Sequence, residues 1–197
     1  MKFVLASASP RRREILSHLG LDFTVLCADT DESSDEKKGE KLVEILSRRK
    51  AEAVRDVLSG AGTLTADTVI LAADTVVVSP RGEILGKPRD AEDADRMLRL
   101  LSGRTHRVIS GICVICGDKA VTAHEVTKVT FDKLSDGVIA RYIASGEPMD
   151  KAGAYGIQDT ACLWISGMEG DYFNVVGLPV HRLESVLGEQ FGLSLWT

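Results

Sequence analysis

The chain has little of several features that mark particular protein classes. Aromatic residues make up 5% of its 197 residues, and it has four cysteines. Four cysteines in a chain of this length do not indicate a disulfide scaffold. Lysine and arginine number 24 against 29 aspartates and glutamates, which leaves a net charge of −5. A general nucleic-acid binder needs a broad basic face, so we expect no nucleic-acid partner.

Long apolar runs and several catalytic motifs are also missing. No run approaches the roughly 18 apolar residues of a membrane-spanning helix, and a strand pattern begins almost at Met1, which predicts neither a signal peptide nor a membrane partner. The chain has no G-x-S-x-G and no H-E-x-x-H motif. Cys113 and Cys116 match C-x-x-C, but no second pair completes a zinc site, and we interpret them as packing residues. We expect an intracellular, soluble protein.

The length favours one domain over residues 1–197, with strands and helices that alternate along the chain. Residues 117–118 join two long strand patterns, which must form an antiparallel hairpin and therefore predict a mixed α/β sheet. The strands are predicted at 2–6, 23–27, 69–78, 105–116, 120–132 and 160–166. The helices are predicted at 10–19, 40–58, 90–101, 135–144 and 180–191, and a mobile loop at 28–40.

One tetrapeptide, Ala-Asp-Thr-Val, occurs twice, around Asp67 and around Asp74. Asp67 precedes a predicted strand and is interpreted as a loop residue. Asp74 interrupts an apolar run, where an unpaired carboxylate would be very costly. We therefore expect Asp74 to be paired, bound to a metal or turned toward a cleft.

A lysine stands out on the second predicted helix. At about 100° per residue, one face carries apolar side chains, with Lys50 in their midst. The residues that share this face are Leu42, Leu46, Ala53, Val54 and Val57. Lys50 is either a stem that covers apolar surface with its ammonium in water, or a cation directed at an anion.

The first predicted helix has a similar anomaly. Arg11 and Arg12 occupy its first turn, where cations are unfavourable beside the positive end of the helix dipole. An anion there would be held by backbone amides, by the Ser7 and Ser9 hydroxyls and by the guanidinium groups; a basic surface turn is the alternative. Ser9 is expected to cap this helix.

Two further charged residues have weaker signals. Lys87 follows a predicted turn, in a stretch too short for a phosphate-binding P-loop. Glu32 lies in an acidic loop that is either solvated or a source of a carboxylate for Mg²⁺.

Six short motifs, taken in order, give the chain a resemblance to a known family. They are Ser7-Ala8-Ser9-Pro10-Arg11-Arg12, Lys50-Ala51, Ala73-Asp74-Thr75-Val76-Val77, Gly86-Lys87-Pro88, Lys151-Ala152-Gly153-Ala154-Tyr155-Gly156-Ile157-Gln158 and Asn174-Val175-Val176-Gly177-Leu178-Pro179. Their order and spacing resemble the Maf family of nucleoside triphosphate pyrophosphatases, from the N-terminus to about Leu187. Asp-Thr after the strand and the closing Gly-Ile-Gln are similar to its dTTP/UTP-specific branch.

The resemblance implies a mixed twisted sheet flanked by helices, with two lobes and a central cleft, similar to the inosine triphosphate pyrophosphatase fold. It also implies a cytoplasmic, metal-dependent homodimer that hydrolyses dTTP and UTP to the monophosphate and pyrophosphate. The alternatives are a nucleotide-sensing regulatory protein of cell division and a pyrophosphatase for modified nucleotides.

The resemblance also implies roles for individual residues. Asp74 activates the attacking water, either directly or by holding Mg²⁺ or Mn²⁺, with Glu32 as the second metal carboxylate. The phosphates are bound by Ser7, Arg12, Lys50 and Lys87. Base selection is assigned to Arg11, Thr75 and Gln158, and a carboxamide matches the N3–H and carbonyl edge that uracil and thymine share.

Overall fold

A computed structural model describes residues 1–196, which form seven strands and six α-helices. The strands are β1 (Lys2–Leu5), β2 (Phe23–Val25), β3 (Thr68–Val78), β4 (Ile84–Leu85), β5 (Thr105–Cys116), β6 (Lys119–Phe131) and β7 (Ile165–Glu169). The helices are α1 (Pro10–His18), α2 (Gly39–Gly60), α3 (Ala91–Leu101), α4 (Asp136–Ala144), α5 (Tyr172–Val176) and α6 (Val180–Phe191). Three short 3₁₀ helices cover Glu147–Asp150, Ala152–Ala154 and Thr160–Trp164.

All seven strands belong to one mixed sheet. The strand order is β2-β1-β3-β5-β6-β7, with β4 paired to β3. The β1–β2 and β1–β3 pairs are parallel, whereas β3–β4 and β6–β7 are antiparallel. The predicted α/β class, a mixed sheet flanked by helices, is therefore confirmed.

The predicted hairpin is also confirmed, with its strands placed within a residue of the expected bounds. Strands β5 and β6 are neighbours in the sheet and are joined by Gly117 and Asp118 alone. Adjacent strands joined by two residues must be antiparallel. Gly117 has φ +56°, in the left-handed region that tight turns use and that glycine adopts without a steric cost.

The chain divides into two compact units. The first unit comprises Met1–Asp74, Ser110–Glu125 and the segment from Gly177 onward. The second unit comprises Thr75–Ile109 and Val126–Val176. Among residues 1–196, no helix has both the length and the apolar character that crossing a bilayer requires.

In the first unit, α2 packs on the sheet through small and β-branched side chains. Ala51 and Val54 of the helix share a buried cluster with strand residues that include Ile70 and Ala72. Gly111 of β5 lets the helix approach closely, because a Cβ at this position would lie 2.5 Å from the backbone of Val43. This close packing fixes the position of α2, which carries Lys50.

The second unit has its own core, which contains four buried aromatic rings. Phe131, Tyr142, Tyr155 and Trp164 are all buried there. The strand predicted at 160–166 was wrong: Thr160–Trp164 is a 3₁₀ helix, and β7 begins only at Ile165. Ala161 and Trp164 are the buried residues of this short helix, a spacing of three that fits a 3₁₀ turn.

Three of the predicted helix starts can be compared with the structure. Asp90 caps α3 by accepting a hydrogen bond from the Asp93 N–H, and Ser135 caps α4 by accepting one from the Val138 N–H. Ser9 occupies the predicted N-cap position of α1, with Pro10 as the first helical residue, but its side chain makes no capping hydrogen bond. Instead, the Ser9 N–H donates to the Ser7 hydroxyl at 3.3 Å.

Candidate active site

Two parallel strands bring the predicted residues Ser7 and Asp74 to nearly the same level of the sheet, just beyond the last residue of β1. Leu5 of β1 is level with Leu71 of β3. Ser7 lies two residues beyond Leu5, and Asp74 lies three beyond Leu71. In open α/β sheets, ligands bind outside the carboxyl ends of parallel strands.

Asp74 continues the face of β3 that packs against α2. Side chains two residues apart on a strand point to the same face, so Ile70, Ala72 and Asp74 share one face. Ile70 and Ala72 contribute to the cluster that buries α2. Asp74 therefore extends toward this helix where the apolar packing ends.

Lys50 lies on the buried side of α2, although the helical face predicted for it needs correction. The buried residues of the helix are Gly39, Val43, Leu46, Ser47, Ala51 and Val54. Val57, predicted to be on this face, is exposed, and Leu42 and Ala53 are only half-buried. The buried face of α2 is therefore rotated slightly about the helix axis from the predicted one. Lys50 still borders this face, between Leu46 and Val54.

The Lys50 ammonium group makes two ion pairs. Its Nζ lies 2.6 Å from Asp74 Oδ1 and 2.9 Å from Glu32 Oε1. The Lys50 and Asp74 side chains are 18% and 11% exposed, whereas Glu32 is largely exposed. A lysine that only covered apolar surface would extend its ammonium into water. The alternative of a plain apolar stem therefore does not describe Lys50.

Arg12 joins α1 to two other segments of the first unit. Its Nε donates to the carbonyl oxygen of Gly177 at 2.7 Å, and its Nη1 donates to the Ser7 hydroxyl at 3.0 Å. Burial lowers the pKa of the Arg12 guanidinium, while the negative charge of Asp74 opposes that effect. Arginine remains charged under such conditions. The first turn of α1 therefore presents a fixed positive charge together with its own backbone amides.

The acidic loop is held to α2 by Arg49, a residue to which the sequence assigned no role. Arg49 donates through Nη1 to the carbonyl oxygens of Asp31 at 3.0 Å and Ser33 at 2.7 Å. These two carbonyls flank Glu32. The loop has no regular secondary structure, as predicted, and Arg49 holds the part of it that carries Glu32. Its predicted mobility stays a prediction.

The donors near Lys50 suit a hard divalent cation in number and type. Glu32 and Asp74 both contact the same Lys50 nitrogen, at 2.9 Å and 2.6 Å. The two carboxylates therefore lie close to each other. Mg²⁺ is commonly held by one or two carboxylates, together with water and substrate phosphate oxygens. Among residues 1–196 no cluster of three or more His, Cys, Asp or Glu side chains forms an all-protein metal site.

The other predicted residues are spread over both units. In the first unit, Arg11 is half-buried in the first turn of α1. In the second, Thr75 is half-buried on β3, Lys87 is exposed after β4, and Gln158 is exposed between two 3₁₀ helices. Asp67 is an exposed turn residue, as interpreted from the sequence, and accepts a hydrogen bond from the Thr65 hydroxyl at 2.6 Å.

Sequence reasoning missed three residues that hold these groups in place. Arg49 holds the Glu32 loop, the Gly177 carbonyl orients Arg12, and the buried Lys151 lies in the segment that carries Gln158. Gly177 and Lys151 both lie within the motifs that carry the family resemblance, but sequence reasoning assigned no role to either of them. Gly177 has φ +119°, a conformation that favours glycine.

Comparisons with known proteins agree on one family. A family model described as "Maf-like protein" matches residues 2–190. The dTTP/UTP pyrophosphatase of Alkaliphilus oremlandii is 49% identical over 98% of both chains. That of Chromobacterium violaceum is 51% identical over 98% of this chain and 96% of its own. A solved structure of the Staphylococcus aureus Ham1 protein, 13% identical, aligns with a TM-score of 0.48 over 78% of this chain and 85% of that one, too slight a likeness to support a conclusion.

Proposed function

The chain belongs to the Maf-like protein family, and from this membership and its site we propose that it is a pyrophosphatase for dTTP and UTP. The reaction consumes one water and yields the nucleoside monophosphate and pyrophosphate. The relatives at about half identity over nearly their full length carry this activity in their names. The observation that supports it in this chain is the Asp74–Lys50–Glu32 arrangement beside Arg12 and Ser7.

In the proposed reaction, a water attacks the α-phosphorus, and Asp74 activates that water either by accepting its proton or by holding the metal ion. The bond from the water oxygen to the α-phosphorus forms, and the bond from that phosphorus to the bridging oxygen of the β-phosphate breaks. The electron pair leaves with pyrophosphate. A carboxylate on a rigid strand, within reach of a cation, can hold a water in line for such a displacement.

The cations of the first unit bind and neutralise the phosphates. Arg12, Lys50, the Ser7 hydroxyl and the first amides of α1 all offer donors to phosphate oxygens. They are held in place before substrate binds, which is the main way that enzymes stabilise the charge of a displacement at phosphorus. By family resemblance, Lys87 also binds phosphate, while Arg11, Thr75 and Gln158 select the base.

A divalent cation, Mg²⁺ or Mn²⁺, is part of this proposal. Asp74 and Glu32 would hold it, and once bound it would lower the pKa of a coordinated water. The Lys50 ammonium contacts both carboxylates and offsets part of their mutual repulsion, while one negative charge of the group remains for a cation to balance. Asp74 serves either as the direct base or as the metal ligand, and the metal dependence of the Asp74 variants distinguishes the two.

The experiment that tests the function is a substrate panel. The purified chain is assayed for pyrophosphate release from UTP, dTTP, CTP, GTP and modified uridine triphosphates, with Mg²⁺ or Mn²⁺ and with chelator. We expect the highest kcat/KM for UTP and dTTP and none with chelator. Absence of turnover with every nucleotide would favour a nucleotide-sensing regulatory protein. A kcat/KM for a modified nucleotide far above that for UTP would favour a pyrophosphatase for modified nucleotides.

The homodimer and the cytoplasmic setting, both implied by the family resemblance, remain part of the proposal. Light scattering coupled to size exclusion tests the first, with a mass of twice 21.3 kDa as the expected result. A mass of 21.3 kDa across the concentrations used in the assay would contradict it.

A further inference from the structure

Lys151 is a buried lysine with no part in the proposed chemistry. It is 8% exposed, although it lies in a segment of short 3₁₀ helices. Its Nζ donates to the carbonyl oxygen of Glu147 at 2.7 Å and to Asp150 Oδ1 at 2.8 Å, and it lies 3.4 Å from Asp159 Oδ2. A buried lysine with three acceptors is held in one conformation.

The stem of Lys151 passes directly beneath Gly156. A Cβ at position 156 would lie 2.6 Å from Lys151 Cε and 2.9 Å from Asp159 Oδ2. Gly156 does not have a positive φ, so the position requires glycine for space and not for backbone conformation. Lys151 thus contacts both ends of the stretch from Gly156 to Asp159, the first through its stem and the second through its charge.

Other hydrogen bonds close this stretch into a turn. The Asp159 N–H donates to the Gly156 carbonyl oxygen at 3.3 Å. Glu147, whose own carbonyl binds Lys151, accepts from the Thr160 N–H at 3.1 Å and from its hydroxyl at 2.7 Å. Gln158 lies inside this turn, with its side chain exposed.

We propose that Lys151 is a positioning residue for base selection, which orders the Gly156–Thr160 turn so that Gln158 is presented in one geometry. The inference rests on the proposed function, because that function assigns base selection to Gln158. A carboxamide distinguishes uracil from cytosine only when its donor and acceptor face the base edge in a fixed orientation. An ordered turn supplies that orientation before the nucleotide binds.

The test compares Lys151→Met with Lys128→Met. Lys128 is an exposed lysine of the same unit, with one carboxylate partner, Glu169, at 3.1 Å. Hydrogen exchange of the nucleotide-free protein is followed over residues 156–160, and kcat/KM is measured for UTP and CTP. For Lys151→Met we expect exchange in the turn to accelerate at least about tenfold, and the UTP lead over CTP to narrow about tenfold. Lys128→Met should match the unaltered chain both in the exchange of residues 156–160 and in the UTP-to-CTP ratio of kcat/KM.

A double variant separates positioning from general damage. If Lys151 acts through Gln158, Lys151→Met combined with Gln158→Ala should discriminate no worse than Gln158→Ala alone. A loss of stability unrelated to the turn would instead lower kcat/KM for UTP and CTP by equal factors. Additive losses of UTP selectivity in the double variant would overturn the inference.

Gly156→Ala provides a second variant should Lys151→Met fail to fold. The added methyl group must displace the Lys151 stem, so the same faster exchange and narrower UTP lead are expected with the lysine still present. Unchanged exchange and selectivity in the variant tested would refute the role of Lys151. If the unaltered chain itself shows no preference for UTP, the proposed function fails, while the exchange measurement still decides whether Lys151 orders the turn.

Discussion

The two regions that carry the predicted residues are built in opposite ways. In the first unit, Asp74 lies on a strand and Lys50 on a long helix, and packing between these elements sets their distance. In the second unit, Gln158 lies between short 3₁₀ helices, where hydrogen bonds that Lys151 donates and that Glu147 accepts replace regular structure. One region depends on the rigidity of a core, and the other on a polar network.

The difference matches the tasks that we assign to the two regions. Displacement at phosphorus is the same for every nucleotide and needs charges at fixed positions. Base selection depends on a few hydrogen bonds that each discriminate by about 1–3 kcal/mol. Turns can change without disturbing a core, which makes them suitable carriers of specificity. Variants that affect displacement at phosphorus but not base selection, or the reverse, test this division of tasks.

The largest effect is expected from Asp74→Asn. The substitution keeps the shape of the side chain but removes the negative charge that would accept the proton. We expect kcat to fall by about 10² to 10⁴-fold for UTP, dTTP and CTP alike. The measurement is the rate of pyrophosphate release at saturating nucleotide and metal.

Asp67→Asn is the matched control, because it alters the same Ala-Asp-Thr-Val tetrapeptide. Asp67 is exposed and contacts the Thr65 hydroxyl and, at 3.9 Å, the N-terminal ammonium group of Met1, so its loss should leave kcat within a factor of two. Similar losses at both positions would show that Asp74 has no special role.

Lys50→Met should preserve the fold and reduce turnover about 10²-fold. Methionine fills similar space beside Leu46 and Val54, but it provides no cation for phosphate or for Asp74. Lys41→Met removes an exposed lysine from the same helix and should have no effect. Full activity of Lys50→Met, with a melting curve like that of the unaltered chain, would exclude a phosphate role for this residue.

Gln158→Ala should act on the choice of base. We expect kcat/KM to fall about 10- to 100-fold for UTP and dTTP and to change little for CTP. Lys87→Ala should lower kcat/KM for all three nucleotides by a similar factor, because Lys87 is assigned to the triphosphate, which they share. If Gln158→Ala weakens UTP and CTP equally, base selection belongs to Arg11, Thr75 or backbone groups.

Much of the first unit could be predicted from its sequence, because regular elements leave periodic signals. The interruption of an apolar strand identified Asp74, and a lysine on an apolar helical stripe identified Lys50. The detailed helical face was wrong at Val57, which is exposed, whereas its neighbour Leu58 packs against the buried cluster. A 3.6-residue period locates a stripe only to within about one residue step.

The turn around Gln158 could not be predicted in this way. Lys151 is buried among its contacts with Glu147, Asp150 and Asp159. These contacts join irregular segments, which have no hydrophobic periodicity in the sequence. The short strand expected at 160–166 was wrong for the same reason, since brief apolar runs fit a 3₁₀ turn as well as a strand. Only the family resemblance pointed to Gln158.

Acid should weaken the second unit through His106, which holds Tyr155 of the Gln158 segment. Its Nε2 and the Tyr155 hydroxyl are 2.7 Å apart, and burial lowers the His106 pKa to about 4. Unfolding would return this pKa to about 6.5. The unfolded state then binds more protons between these values, so the stability contributed by neutral His106 is complete above pH 6.5 and declines as the pH falls toward 4.

Urea titrations at pH 7.5 and 5 measure this effect. Between pH 7.5 and 5, the free energy of unfolding of the unaltered chain should fall by roughly 2 kcal/mol more than that of His106→Asn. His181→Asn, at an exposed position, should behave like the unaltered chain. Equal pH dependence in all three proteins would show that His106 does not titrate differently in the folded state.

The smallest effect is expected from Arg49→Ala, which tests whether the first region also depends on a polar tether. Arg49 binds the carbonyl oxygens on either side of Glu32, so its loss should loosen the loop without altering Asp74 or Lys50. We expect the metal concentration for half-maximal activity to rise by about tenfold or less, with kcat at saturating metal and the UTP-to-CTP ratio both unchanged. Arg48→Ala is the control, because the neighbouring Arg48 pairs only with Glu52 of its own helix, at 2.9 Å, among the contacts described. An altered UTP-to-CTP ratio in Arg49→Ala would mean that the loop contributes to base selection, and the division of tasks between the two regions would then have to be abandoned.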